Sequence, residues 1–305
     1  MPYSNFLENQ LESYSSHSEF DVARTGEISP DRSSILGDDG WCFIYEGGNN
    51  YYNSYLDKSL YGIGEMWANL IEDRSRKLKL LSIPFLQLIV PNKATLMPDR
   101  YPLNLDHGIT IPLRALIEAN SCKNFLSPVD EMRNSHVVDC LFRRNDSHLT
   151  LAGNSYLVDL ILQYFEITLG DVEKIKLSIV THLGDLGSKF ENQILENFYA
   201  PSFDDGLLDA KNYVKIIDIA KGGYIGTRQS FFNPNAQIKK SILVFGNSFF
   251  EKNPSWGISP LMASIFQNYH FIWSPDIDIA LVEEINPDFV IAQTCERFLI
   301  QLPAN

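Results

Sequence analysis

The chain has 305 residues, 45% of them hydrophobic and 21% charged, enough to bury a large core as one large domain or two small ones. Its 38 acidic residues outnumber 25 basic ones, leaving a net charge of −13. A field of that sign repels phosphates and argues against a general role on nucleic acid or on an anionic membrane surface. Four cysteines (Cys42, Cys122, Cys140 and Cys295) stand without a Cys-x-x-Cys pair, which removes support for a zinc knuckle or a thioredoxin-type motif. They can pair into two disulfides or serve as small buried apolar groups, the commoner use in a core this size.

Residues 1–38 are rich in Ser, Asp and Glu and lack periodicity, the texture of a flexible or loosely docked leader. The first twenty contain no apolar run of signal-peptide length, and no stretch of about 18 apolar residues occurs anywhere. As written, the chain is expected to be cytoplasmic, or periplasmic if an export signal has been removed. From Trp41 the pattern changes. WCFIY (41–45) reads as a buried strand, and EMWANLIEDRSRKLKLL (65–81) as an amphipathic helix with Met66, Leu70, Ile71, Leu78 and Leu81 on its apolar face. PFLQLIVP (84–91) is apolar on both faces, as in a parallel strand covered by helices. Strand, helix, strand in that order predicts an α/β layer fold over 39–305.

SYLVDLILQYF (155–165) predicts a strongly apolar helix. The stretch 170–238 reads as a substrate-side insertion, with strands at 176–182 and 213–220, a turn entering a helix at 184–190 and a turn at 222–226. The α/β pattern then resumes with strands at 241–245, 270–273 and 288–293 and helices at 259–267 and 279–285.

Two segments about a hundred residues apart carry chemistry. SILVFGNSFF places Ser248 where an apolar strand stops at a glycine turn, and RNDSHLTLAGNSY places Asp146 and His148 just before a helix. A serine hydroxyl becomes a nucleophile when a base takes its proton, and the base works best when a carboxylate fixes its tautomer. A strand-end turn exposes the hydroxyl at the carboxyl end of a sheet, with backbone N–H groups near it as oxyanion donors. The pattern alone leaves a plainer reading open: Ser248 as an ordinary turn residue, Asp146 as a helix N-cap, His148 as a packed surface group. His107, His182 and His270 fit no metal-site spacing and read as structural or surface groups, so no metal site is expected. Lys93 reads as a solvated loop lysine or a substrate contact. Trp256 and Trp273, near the Ser248 end, suit core packing or stacking on sugar rings.

Ser248 in GNSFF, the upstream Asp146-Ser147-His148, and the later INPDFVIAQTCERFL together resemble the SGNH-type hydrolase-like domains of the alginate O-acetyltransferases. DDGWCFIYEG near the start and IVPNK (89–93) resemble that family's opening. The resemblance runs from about residue 39 to the end and is weakest over the insertion. It implies an α/β fold of the SGNH-hydrolase-like (flavodoxin-like, three-layer) class, with a parallel central sheet. It also implies a permuted motif order, because in this family the Asp-His element precedes the serine. By the same resemblance Ser248 is the acyl-accepting nucleophile, His148 its general base and Asp146 the orienting carboxylate. Gly246, Asn247, Gln293 and Thr294 are candidates for the oxyanion hole. Arg297 is a candidate to hold a substrate carboxylate, with a structural pair to Glu296 as the alternative. Asn247 stands where the family has Asp, Ser147 where it has Thr, and Leu149 where it has Trp, a wall of the family's substrate pocket. The implied activity is O-acetyl transfer to a carbohydrate, with no tightly bound cofactor. Acetyl-CoA or an acylated membrane-bound partner would be the donor. The same triad acting as a carbohydrate esterase, or a non-catalytic glycan-binding protein on the same fold, are the alternatives.

Overall fold

The computed structural model describes residues 24–304 apart from 48–49, 171–176, 202–213, 222 and 251–256. Its centre is a seven-stranded sheet with β3 (Phe85–Val90), β4 (Phe125–Leu126), β7 (Val214–Lys221), β8 (Gly223–Phe232), β9 (Ile238–Gly246), β10 (Phe266–Trp273) and β11 (Phe289–Cys295). The spatial order is β4-β3-β11-β9-β10-β8-β7. The first five strands run parallel, and the β7–β8 hairpin adds two antiparallel strands at the edge.

Strands covered on both sides must be apolar at successive positions, and the alternation then sorts side chains to two faces. Leu86, Leu88, Val90, Ile242, Val244 and Ile291 join one core with Leu157, Val158 and Ile161 of helix α3 (Leu151–Tyr164) and Leu261 and Met262 of α4 (Ser259–Ile265). Their sequence neighbours Phe85, Leu243, Phe245 and Val290 form a second core with Leu78 of α1 (Tyr61–Leu80) and Val282 of α5 (Ile279–Ile285). Helix α2 (Ile111–Ala119) closes a third cluster through Leu113 and Leu116 against Trp67, Ile71 and Ile89. The result is three layers, helix on sheet on helix. No helix among the described residues is long and apolar enough to cross a membrane.

Several expectations need correction. The buried face of α1 is Trp67, Ile71, Arg74 and Leu78, whereas Met66 is 50% exposed. Arg74 is buried because its guanidinium donates to Gln87 Oε1 and Pro275 O at 2.8 and 2.7 Å, satisfying a charge that burial would otherwise penalise. The strand 42–44 (β2) lies outside the central sheet and pairs antiparallel with β1 (Ser34–Leu36). Within the expected leader, Ser34–Leu36 form β1, with Ile35 and Leu36 buried, and residues 1–23 lie outside the described residues. In the expected insertion, 223–226 is the start of β8 and not a turn, and 187–189 is a single 3-10 turn. β5 (Leu177–Leu183) and β6 (Leu195–Pro201) form a separate two-stranded antiparallel sheet, while β7 and β8 belong to the central one. The first helix of the resumed pattern, expected to run to 267, stops at Ile265, and β10 begins at Phe266. All four cysteines are free.

Candidate active site

Ser248 opens a 3-10 turn directly after β9, at the carboxyl ends of the parallel strands. Gly246 leaves room for a side chain from the neighbouring strand β11: a Cβ on it would lie 2.9 Å from Gln293 Oε1 and displace that amide. The turn is closed by its own polar groups. Asn247 Oδ1 accepts the Phe249 N–H at 3.2 Å, and Asn247 O accepts the Phe250 N–H at 3.0 Å. An amide oxygen serves this purpose as well as a carboxylate oxygen, which accounts locally for Asn where the resembled family has Asp.

The loop before α3 carries Asp146 and His148. It is held down at both ends, and neither anchor is Asp146. Thr150 is the N-cap of α3, its Oγ1 accepting the Gly153 N–H at 3.1 Å, so the N-cap reading of Asp146 is set aside. Asn145 is clasped by the β5–β6 hairpin: its amide donates to His182 O and Ile194 O at 2.8 and 2.9 Å. Gly184 follows β5 in close contact with this loop, and a Cβ there would meet Asn145 O at 2.1 Å.

With the loop so held, His148 Nδ1 lies 2.7 Å from Asp146 Oδ1, and His148 Nε2 lies 2.9 Å from Ser248 Oγ. His148 is about a quarter exposed and packs against the Phe249 ring at 5.4 Å between centroids, while Asp146 is buried. The carboxylate also accepts the His148 backbone N–H at 2.9 Å, Arg143 Nη1 at 3.2 Å, His182 Nε2 at 3.0 Å and the Asp185 N–H at 3.3 Å. Burial would raise its pKa. The Arg143 charge and the bonds from His148 and His182 outweigh burial and hold the carboxyl well below its usual range. Asp146 is therefore an anion across the neutral range, and its acceptance at Nδ1 leaves Nε2 of a neutral His148 as the acceptor facing the serine.

Sequence reasoning missed three members of this network. His182, expected to be structural or superficial, bonds to Asp146. Arg143 stands behind the carboxylate. Asp185 accepts both the Ser147 N–H and its hydroxyl, at 2.6 and 2.5 Å. For His182 and Asp185 the only signal was polar residues at the end of a predicted strand, and periodicity does not show which loop they will face; for Arg143 it was a position three residues before Asp146. One oxygen or nitrogen each of Asp146, His148 and Asp185 lie within 4.8 Å of one another, close enough for a metal. The Asp146 oxygens are already committed to N–H donors, and those of Asp185 to Ser147.

Gln293 is buried on β11, and its Oε1 accepts the Asn247 N–H at 3.1 Å. That donor fixes the orientation of the amide, so the second amide atom is Nε2, which is buried without a partner among the described residues. The Asn247, Phe249 and Phe250 N–H groups are all taken, which leaves the Ser248 N–H as the turn's remaining donor among the described residues. Gly246 and Asn247 thus shape the turn, while Gln293 faces it from the next strand and Thr294 follows Gln293. Ser248, Gln293 and Thr294 line a cleft of about 280 Å³, with Trp273 on its wall. The Tyr224 ring stacks on Trp273 at 4.7 Å and is 69% exposed.

Other candidates fall away from the cleft. Arg297 does not pair with Glu296. It lies over the Phe249 and Phe298 rings at 5.6 and 4.9 Å and donates weakly to Asn92 Oδ1. Glu296 is instead fully buried, accepting from Asn92 N, Thr95 Oγ1 and Thr110 N, and its pKa is raised by burial. Lys93 is not a solvated lysine: it is buried and donates to Cys42 O and Arg144 O at 2.8 and 2.9 Å, tying β2 to the His148 loop. Burial lowers its pKa to about 8. Leu149 is core, 1% exposed. His270 bonds to Ser230, and His107 is exposed beside Asp106, as expected of structural and surface groups. Trp256 lies outside the described residues.

Neither a protein-family profile nor a curated protein matches the sequence. Solved structures do match in fold. PatB1 of Bacillus cereus, solved with a sulfonyl adduct, is similar over 87% of this chain and 96% of its own, with a TM-score of 0.58 at 16% identity. The O-acetyltransferase domain of AlgJ from Pseudomonas putida is similar over 88% of this chain and 93% of its own, at TM-score 0.54 and 15% identity. A DHHW family protein from Eubacterium siraeum is similar over 88% and 93%, at TM-score 0.53 and 13% identity. At these identities the likeness is one of fold: the chain is a mixed α/β protein with a mostly parallel sheet, of the kind these proteins share.

Proposed function

We propose that this protein is a serine-dependent O-acetyltransferase that acylates a carbohydrate hydroxyl through an acyl-Ser248 intermediate. The observation that carries the reading is His148, bonded at one nitrogen to a buried anionic Asp146 and at the other to Ser248 Oγ, at 2.7 and 2.9 Å. His148 Nε2 takes the hydroxyl proton as Ser248 Oγ attacks the donor's acyl carbon, and the resulting imidazolium is stabilised by Asp146. The Ser248 N–H and Gln293 Nε2 receive the oxyanion of the tetrahedral intermediate. Collapse breaks the bond to the leaving group, which takes the proton from His148. An acceptor hydroxyl then repeats the sequence in reverse and frees the serine.

The likeness in fold to the O-acetyltransferase domain of AlgJ supports acetyl transfer as the reaction. The exposed Tyr224–Trp273 stack beside the cleft suits the faces of a sugar ring, which supports a carbohydrate acceptor. The acetyl donor enters as a co-substrate, either acetyl-CoA or an acylated, membrane-bound partner. A contact of 2.9 Å between Ser248 and His148 weighs against a non-catalytic glycan-binding protein. The test is intact-protein mass after exposure to p-nitrophenyl acetate, acetyl-CoA and, separately, a sulfonyl fluoride. A single adduct that disappears in Ser248→Ala is expected. Sugar products separate transfer from hydrolysis, and no Ser248-dependent adduct from any reagent would overturn the reading.

A further inference from the structure

The cleft that begins at Ser248 has two kinds of wall. Its polar members are gathered close to the serine: Asn247, Gln293 and Thr294 at the ends of β9 and β11, and Ser274, whose N–H donates to Gly246 O at 3.1 Å. Gln301 excepted, the rest of the described lining is apolar: Trp67, Ile225, Trp273, Pro275, Phe298 and Leu302 are its main members. None of the described lining residues is charged.

A buried sugar ring needs hydrogen-bond partners for hydroxyls around its whole rim, because each polar group taken from water without one is penalised. This interior offers few. A hydrocarbon chain needs none, and gains from every apolar contact. The volume points the same way. At about 280 Å³ the cleft approaches the lower end of pockets that hold drug-sized ligands, and an acetyl methyl would fill only one corner of it. Ile225 and Leu302 are 68% and 37% exposed, so apolar area is left facing solvent that a chain anchored at Ser248 would cover.

We infer that the cleft is an acyl pocket, and that the acyl group carried on Ser248 extends beyond acetyl to unbranched chains of about four to eight carbons. The inference rests on the acyl-Ser248 reading and enlarges its donor class. An acyl ester R–CO–OR′ loses R′OH to form Ser248–O–CO–R, the serine proton passing through His148 to the leaving oxygen. An acceptor hydroxyl then takes R–CO, returning its own proton through His148 to Ser248. The sugar approaches from the Tyr224–Trp273 side of the mouth while the chain lies inside.

The experiment is a chain-length series, p-nitrophenyl acetate, butyrate, hexanoate and octanoate, with the full chain and with Ser248→Ala. The Ser248-dependent kcat/KM is expected to rise from acetate to hexanoate by up to about fourfold per methylene, the transfer free energy of one buried CH2 group. Intact-protein mass should show the matching acyl adduct. Leu302→Trp, which adds bulk at a half-exposed position, should lower the hexanoate-to-acetate ratio severalfold. An acetate rate equal to or above those of butyrate and hexanoate, still lost in Ser248→Ala, overturns the acyl pocket and leaves the nucleophile standing. No Ser248-dependent turnover of any ester overturns the acyl-Ser248 reading on which the pocket depends.

Discussion

His182 gives the sharpest single test of the network behind the serine. Its Nε2 lies 3.0 Å from Asp146 Oδ2, an acceptor, so Nε2 is the ring nitrogen that donates. The carboxylate takes five donors in all: Arg143 Nη1, the backbone and ring N–H of His148, His182 Nε2 and the Asp185 N–H. A hydrogen bond to a charged group contributes about 1.5–3 kcal/mol. After loss of His182, Oδ2 still holds Arg143 and the Asp185 N–H, so the lower end of that range applies. About 1.4 kcal/mol is a factor of ten, so His182→Ala should lower kcat for a Ser248-dependent ester roughly tenfold, with KM little changed. His182→Gln keeps an amide donor of similar reach and should recover most of the loss. The sign for pH follows from Asp146, whose folded pKa is depressed. Its stabilisation is present above the unfolded value and is lost as pH falls through the folded one. Removing a donor raises the folded pKa, so His182→Ala should begin acid unfolding at a higher pH than wild type. The assays are steady-state kinetics against pH and urea unfolding at several pH values. A His182→Ala variant with wild-type kcat, or a His182→Gln variant no better than it, would refute a positioning role.

Two further outcomes are expected. Gln293→Met removes both an acceptor for the Asn247 N–H and a buried, unpartnered amide N–H2, whose effects on stability oppose each other. Stability should stay within about 1 kcal/mol of wild type while Ser248-dependent kcat falls 10²–10³-fold. Thermal unfolding and kinetics check this, and a loss of stability with normal turnover would make Gln293 a structural residue only. Burial, with a smaller contribution from Arg228, lowers the pKa of His270 from 6.5 to about 4. Its contribution to stability is therefore complete above about 6.5 and disappears as pH falls through about 4. His270→Gln should flatten the urea midpoint across that window, and an unchanged slope would show that other groups set it.

The strands and helices of the layer fold were legible because their signal is local. PFLQLIVP and SILVF are continuous apolar runs, and burial on both faces of a parallel sheet requires that pattern. The helix over 65–81 was legible in type and largely in face: Ile71 and Leu78 are buried, Leu70 and Leu81 pack against the core, and only Met66 is exposed. What the periodicity did not show is that the buried stripe also takes in Trp67 and Arg74, whose guanidinium finds acceptors on Gln87 and Pro275. The β7–β8 hairpin was not legible as part of the central sheet, because an edge strand's partner is chosen by tertiary pairing and not by its own sequence.

The sequence by itself determined the chemical inventory. It placed a serine after a glycine turn and an Asp-x-His before a helix, and each of those settings follows from residues within a few positions. Only the tertiary structure decided which groups converge on Asp146. His182 and Asp185 reach it through a hairpin clasped on Asn145, a contact that depends on Gly184 admitting a backbone carbonyl where any Cβ would collide, while Arg143 comes from three residues upstream on the same segment. It also decided that Lys93 is a buried tie, that Glu296 and Arg297 do not pair, and that one wall of the serine's cleft is apolar. Sequence spacing fixes what a loop carries, but hydrogen-bond partners distant in the chain are selected by packing, and packing is settled only when every layer is in place.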